Sequence, residues 1–325
     1  MLRYTSGRIL ESLVVLLVVS FAVYGLIGLM PGDPIDLMIQ SDPNLTPADA
    51  KRLKTLHGLD QPIVDRYLAW LGGALQGEFG YSRNHGQLVT DVIGPRIANT
   101  ALLLGVSLTL SLALAIPIGV YAALKPYSRA DYVVNLFCFA GISIPPFWLA
   151  LLLIILFSVT LGWLPAGGME TIGHGDGDGG LMDQLRHMAL PVLALTLASV
   201  GEFTRFMRAS MVQVLRQDFI RTARAKGVGP TRMVVNHALR NALLPMVTII
   251  ALSLGRLFSG ALITETMFSW LGMGKMIYDA ILGNDYNLAL VGLMFATILT
   301  LIGNFLADIG YVWLDPRVSL AKART

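Results

Sequence analysis

The chain has 325 residues, 54% hydrophobic and 14% charged, with a formal net charge of +3. Soluble domains carry about 25% charged residues, so this much apolar surface calls for lipid as its solvent. Basic patches interleaved with aromatics and zinc-finger spacings are absent from the sequence, which argues against nucleic acid as a partner. The single cysteine, Cys138, can form no internal disulfide and reads as a small core residue.

In chain order, the first stretch able to cross a bilayer is Ile9–Met30, with Glu11 as its only charge. Crossing takes about 20 helical residues. Arg3 and Arg8 precede it, as in a signal peptide, but the apolar run is too long for one and "MPGDP" replaces a small-residue cleavage site. It is expected to be retained. Residues 31–97 are the first long polar segment. "LTPADAKRLKTLHG" predicts a short helix, with Thr46 as N-cap, Pro47 at the first helical position and Gly58 as the stop. "QPIVDRYLAWLGGAL" places Ile63, Tyr67, Trp70 and Leu71 on one helical face, for the membrane surface or for packing on the bundle.

The second span is Ala98–Leu124 and the third is Tyr132–Leu161, broken by Pro145-Pro146. The loop "GHGDGDGG", residues 173–180, offers Asp176 and Asp178, too few oxygens for a calcium site, and reads as a solvent loop. The fourth span is Met188–Met207, the fifth Leu243–Ile263 and the sixth Leu288–Trp313. Together these predict an all-α polytopic membrane protein with six transmembrane helices. Lysine and arginine in the loops set the orientation. With the N-terminus inside, the inner segments hold Arg3, Arg8, Lys125 and Arg129, eight basic residues from Arg205 to Arg240, and Arg317, Lys322 and Arg324. The two short outer loops hold only Arg186 and Lys275. Both termini are therefore expected in the cytoplasm, and residues 31–97 outside it.

The most basic stretch is "DFIRTARAKGVGPTRMVVNHALRNALLP", residues 218–245. Asp218 is suited to cap a helix over "FIRTARAK" that stops at Gly227. Pro230 at a first helical position then starts a second helix leading to Pro245 and the fifth span. Phe219, Ala223 and the stem of Lys226 fall near one face, and Arg221 and Arg224 near another. A short basic helix of this kind fits a groove on a partner protein, or a surface of lipid headgroups.

Here the residues become recognisable. "RTARAKG…HALRNALLP" resembles the cytoplasmic loop of ABC importer permeases, in the form found in the dipeptide/oligopeptide/nickel branch. "GDP" at 32–34, "HGLDQP" at 57–62, "GEFGYS" at 77–82, "GISIPPFW" at 141–148, "LGWLP" at 161–165, "ETMFSWLGMGKMIYDAI" at 265–281 and "LDPR" at 314–317 extend the likeness along nearly the whole chain. Leu271 stands where the family has proline. Arg221 and Thr222 stand where the wider importer pattern has glutamate and alanine. The resemblance implies a type I ABC importer-like transmembrane domain: residues 1–97 as an N-terminal transmembrane helix plus extracytoplasmic region, and residues 98–325 as a five-helix permease core with a coupling loop at 210–242.

It further implies a multi-pass protein of the bacterial inner membrane, the first of two related permease subunits in a heterodimer. One or two ABC ATPase subunits and an extracytoplasmic substrate-binding protein would complete the system. ATP and Mg would be bound by the ATPase, with no cofactor, metal or catalytic residue in this chain. "GMGKM" at 272–276 lacks the first glycine and the hydroxyl residue of a phosphate loop. The implied ATPase-coupling residues are Asp218, Phe219, Ile220, Arg221, Thr222, Ala223, Arg224, Ala225, Lys226 and Gly227.

Charges within spans are costly and mark candidate functional sites. Arg256 falls near the middle of the fifth span, Glu202 in the fourth, Glu265 near the outer end of the fifth and Asp308 in the sixth. Arg256 is expected to face a translocation pathway, meeting a substrate carboxylate or Glu202; a buried structural pair is the alternative. Ser143 and Pro145, at the break in the third span, are expected to shape the same pathway. A competing reading is an ion-gradient-driven secondary transporter using Glu202, Arg256 and Asp308, but no internal repeat supports it. A membrane-embedded enzyme would need a catalytic motif, and the sequence has none of the common ones.

Overall fold

The computed structural model describes residues 2–28, 52, 61–171 and 180–314; the sequence-predicted helix at 46–58 and the glycine-rich loop fall mostly outside them. The described residues are almost entirely helical and contain no strand, only an isolated antiparallel bridge between Tyr81 and Leu88. This is what hydrocarbon demands, since a helix bonds its own backbone polar groups. Two compact units result: residues 1–97 with 276–299, and residues 98–275 with 300–325.

In the first unit, α1 (Leu2–Gly28) carries an apolar run. Helix α2 (Ile63–Leu75) packs on it through the face read from the sequence. Tyr67 is buried, lies within 3 Å of Ser20 by its hydroxyl, and meets Phe21 and Tyr24 edge-on at 5.2 and 5.7 Å between ring centroids. The packing alternative therefore holds for Tyr67, whereas Ile63 stays partly exposed. The same unit contains the start of α10 (Tyr286–Leu314). Asp285 precedes it: one carboxylate oxygen accepts from the Leu288 N–H, and the other from the Ser82 hydroxyl at 2.6 Å and the Asn84 N–H at 3.0 Å. An acidic N-cap thus also pins the 80–86 loop.

In the second unit, α3 (Val89–Leu124) begins nine residues before the expected span and enters from the first unit. Ser128 caps α4 (Arg129–Ser143) by accepting from the Asp131 N–H. The third span then bends by 102° into α5 (Pro146–Leu153), which continues as a π-helical turn, Ile154–Thr160. The cause is local. Pro145 forces Ile144 into an extended conformation, Pro146 takes the first helical position, and neither proline has an N–H to continue the ladder.

Helix α6 (Gly180–Leu215) is the most buried of the long apolar helices. It packs closely because its neighbours are small. A Cβ on Gly119 of α3 would lie 2.8 Å from Met207 Cβ, and one on Gly201 would lie 2.7 Å from the Cys138 carbonyl of α4. Between helices in lipid, such close approach supplies the dispersion energy that hydrophobic collapse supplies in water. Next come α7 (Asp218–Ala225), a helical turn at Pro230–Arg232, a π-helical stretch Met233–Leu239, and α8 (Arg240–Met267), which contains Pro245. Helix α9 (Met273–Leu282) precedes α10.

Four described helices are long and apolar enough to cross a membrane, or five with the bent pair counted as one span. The remaining expected span, 243–263, lies within α8. Gly201→Ala should force α4 and α6 apart at a cost of about 1–3 kcal/mol, read as a lower melting temperature of the solubilised protein. Gly105→Ala, with nothing within 4 Å of its Cβ position, should leave the melting temperature unchanged.

Candidate functional site

The basic stretch folds as two capped pieces. Helix α7 starts at Asp218, one residue earlier than the sequence suggested. The N-cap is Gln217 in extended conformation, and Asp218 serves as the acidic first-turn residue, 3.3 Å from Arg221. Lys226 is the C-cap, and Gly227 at φ +76° makes the left-handed turn that a side chain would resist. Gly229 then precedes Pro230, which opens the next turn.

The structure separates Ala223 from Phe219 and Lys226, which the sequence groups near one face. Ile220 and Ala223, three residues apart, are both buried, and Ile220 lies in a cluster with Phe203, Met207 and Met211 of α6, Met233 of the π-helical stretch and Ala242 and Met246 of α8. Ala223 is thus committed to this chain's own core. Phe219, Arg221, Thr222, Arg224, Ala225, Lys226 and Gly227 are exposed. Phe219 and Ile220 both neighbour Ala223 at helical spacing, four and three residues away, and the buried side is the one that carries Ile220. The result is a short, rigidly seated helix with an outward face bearing one aromatic ring and three cations.

The candidate pathway residues are scattered. Ser143, at the end of α4, is exposed and donates to the Phe139 carbonyl at 2.8 Å. Pro145 is exposed at the bend, and its carbonyl accepts from the N–H groups of Trp148 and Leu149. Glu202 is half-buried on α6, and Arg205, one turn on, lies 4.5 Å above the Phe139 ring. Arg256 and Asp308 lie on α8 and α10, but their side chains are outside the described residues.

Glu265 sits in a fully buried polar cluster. Its Oε1 accepts from the Thr100 hydroxyl at 2.5 Å, and its Oε2 accepts from the N–H groups of Gly274 at 2.7 Å and Lys275 at 3.1 Å. Thr100 in turn accepts from the Met273 N–H at 2.8 Å. The carboxylate therefore occupies the N-terminus of α9, where unpaired N–H groups and the helix dipole favour an anion. Gly272 and Gly274 leave it the room: a Cβ on either would fall 3.0 Å or less from the carboxylate. Trp270, also fully buried, donates to the Asn99 carbonyl at 3.1 Å, and Asn99 donates to the Leu271 carbonyl at 2.8 Å. The turn holds without the proline expected at 271, because these side chains fasten it from α3.

Sequence reasoning missed Thr100, and it missed a second cluster, Asp131 and Arg208. Asp131, nearly fully buried in the first turn of α4, receives Arg208 of α6 in a two-pronged pair at 2.5 and 2.6 Å. "Ser-x-x-Asp" at 128–131 is a readable helix start. Its arginine partner lies 77 positions away and leaves no mark in the sequence. Among the described residues no group of histidine, cysteine, aspartate and glutamate is arranged to hold a metal ion.

With this geometry the helices have the fold of an ABC transporter membrane subunit. A chain of the MetNI methionine ABC transporter in an inward-facing conformation aligns with a TM-score of 0.53 at 18% identity, covering 67% of this chain and 94% of that one. Residues 115–320 match the binding-protein-dependent transport system inner membrane component, and residues 1–104 match the N-terminal membrane component of such systems. The chain belongs to this family of inner membrane components. It is 39% identical over 319 residues to the oligopeptide transport system permease protein AppB of Bacillus subtilis strain 168, covering 98% of this chain and 99% of that protein. It is 33% identical to the dipeptide transport system permease protein DppB of Escherichia coli K12, covering 94% and 95%. It is 34% identical to the glutathione transport system permease protein GsiC of Escherichia coli O1:K1 / APEC, covering 98% and 99%.

Glu265→Gln replaces one of the two carboxylate acceptors by an NH2 group, so a buried donor of the cluster loses its acceptor at a cost of about 1–3 kcal/mol. The expected readout is faster proteolysis at the 268–275 turn together with a lower melting temperature. Thr100→Val should act in the same direction.

Proposed function

We propose that this chain is one of two related permease subunits of an ATP-driven importer, carrying peptides or similar small polar solutes across the inner membrane. The reading is supported by relatives matched over nearly their whole length, two of them named for oligopeptide and dipeptide transport. The observation that carries it is α7: a helix with Ile220 seated in a buried apolar cluster and Ala223 also buried, and with Phe219, Arg221, Arg224 and Lys226 turned outward. A loop that only attracted lipid headgroups would need the cations but not the buried face, the glycine turn and the two caps.

In this reading the chain crosses the membrane six times with both termini in the cytoplasm. The fifth crossing is the apolar part of α8, so α7 lies on the cytoplasmic side. One or two ABC ATPase subunits bind α7 and hold ATP and Mg; an extracytoplasmic binding protein delivers the solute. ATP-driven closure of the ATPases pushes α7, and the spans re-orient around a central pathway in alternating access. This chain supplies no catalytic group. Arg256 and Glu202 line the pathway, together with the bend at Ser143 and Pro145. Glu265 belongs to its outer wall, where it fixes the turn before α9.

Purification of the tagged chain from its native membrane should bring an ATPase with it. Arg224→Glu combined with Lys226→Glu, both exposed, should weaken that association about tenfold, or ~1.4 kcal/mol, without moving the melting temperature. Undiminished association would count against α7 as the docking helix. Uptake that persists with ATP depleted and an ion gradient intact would replace the importer reading with a secondary transporter.

A further inference from the structure

Asp131 and Arg208 have no part in the coupling helix or the pathway, yet both oxygens of the Asp131 carboxylate are fully engaged. Arg208 Nε and one terminal nitrogen donate to the two carboxylate oxygens of Asp131 at 2.5 and 2.6 Å. The same oxygens also accept from the Tyr127 N–H at 2.8 Å and the Asn135 side-chain amide at 2.9 Å. Tyr127 adopts φ +61° to present that N–H, an uncommon conformation for a residue with a side chain. A buried pair gives little net stability against apolar replacements, so this much dedicated bonding is better explained by the geometry it enforces.

That geometry is specific. Three contacts pin α4 to α6 along their length: the ion pair, the Cys138–Gly201 approach, and Gly141, whose Cβ would lie 3.2 Å from the Leu197 carbonyl. The partners run 131, 138, 141 on α4 against 208, 201, 197 on α6, an antiparallel zipper that cannot slide without breaking the pair. Arg208 is seven residues before the end of α6 at Leu215, about 10 Å along the axis. Only Arg216 and Gln217 separate that end from α7. At the other end of α4 is the 102° bend that carries Ser143 and Pro145.

We propose that Asp131 and Arg208 are the positioning pair that makes α4 move as one body with α7, carrying the displacement of the coupling helix to the bent third span. This rests on the importer reading above. Arginine is required, since the two-pronged fork fixes orientation as well as distance, which a lysine ammonium does not.

The test uses the complex purified with its ATPases in nanodiscs. Spin labels are placed at Arg129→Cys and Gln217→Cys, both exposed and outside the ATPase-coupling residues, in a Cys138→Ala background. Pulsed electron resonance gives the distance between them without nucleotide and after trapping with ATP and vanadate. The native pair should keep one distance in both states. In Arg208→Ala the distance should match the native one without nucleotide and shift on trapping, while ATP hydrolysis stays within about twofold. Arg208→Lys should shift in the same way by a smaller amount, and it carries the test if the alanine variant fails to assemble. A shift in the native chain on trapping overturns the proposal. So does an equal distance in both states of both variants. So does a distance altered already without nucleotide and unchanged by trapping, which marks a merely structural pin. A native complex with no ATPase activity overturns the importer reading itself and is seen before any variant is made.

Discussion

Hydrocarbon offers no hydrogen bonds, and every local solution in this chain answers that constraint. Long helices bond their own backbones. Where a helix must start, stop or bend, another group takes over. Ser128 receives the Asp131 N–H, Asp285 receives the Leu288 N–H, and the Glu265 carboxylate receives the N–H groups that open α9. At the bend between α4 and α5 the exposed donors are avoided altogether, because two consecutive prolines have none. The bend is thus the least costly place in the third span to change direction.

The same solvent removes the usual driving force for helix association, so contact depends on how closely backbones can approach. Helix α6 meets α3 and α4 at glycines, where the nearest atoms are another helix's carbonyl oxygen or the first carbon of a side chain. Polar contacts add register between helices. Asp131–Arg208 does this between α4 and α6, and the Ser210 hydroxyl, donating to the Ala242 carbonyl at 2.8 Å, does it between α6 and α8. Helix α7 is an extension of this block. Its inward Ile220 enters the cluster formed by α6, the π-helical stretch and α8, so a force on its outer face acts on all three at once.

The charges within the spans divide by role once their partners are known. Glu265 is consumed by the N-terminus of a helix, and its buried cluster explains why a carboxylate is tolerated there. Arg205 rests on an aromatic ring. A charge within a span therefore need not mark a pathway, because an orphaned helix end is an equally good reason to keep an acid in the membrane.

Composition and hydropathy period determined the helical class, the approximate limits of the long helices, the break at Pro145-Pro146 and the two-piece basic stretch with its turn at Gly227. These are legible because they depend on residues near one another: apolar run length, a missing N–H, a glycine at positive φ. The phase of the eight-residue α7 was not legible. Which residue turns inward depended on the elements packed against it: Ile220 lies in their cluster and Phe219 is exposed. Nor were the partners of Asp131, Glu265 and Asp285, found 77, 165 and 203 positions away, where chain order carries no information about contact. Only the folded backbone, by bringing glycine against carbonyl, set which acids would meet a cation and which a helix end.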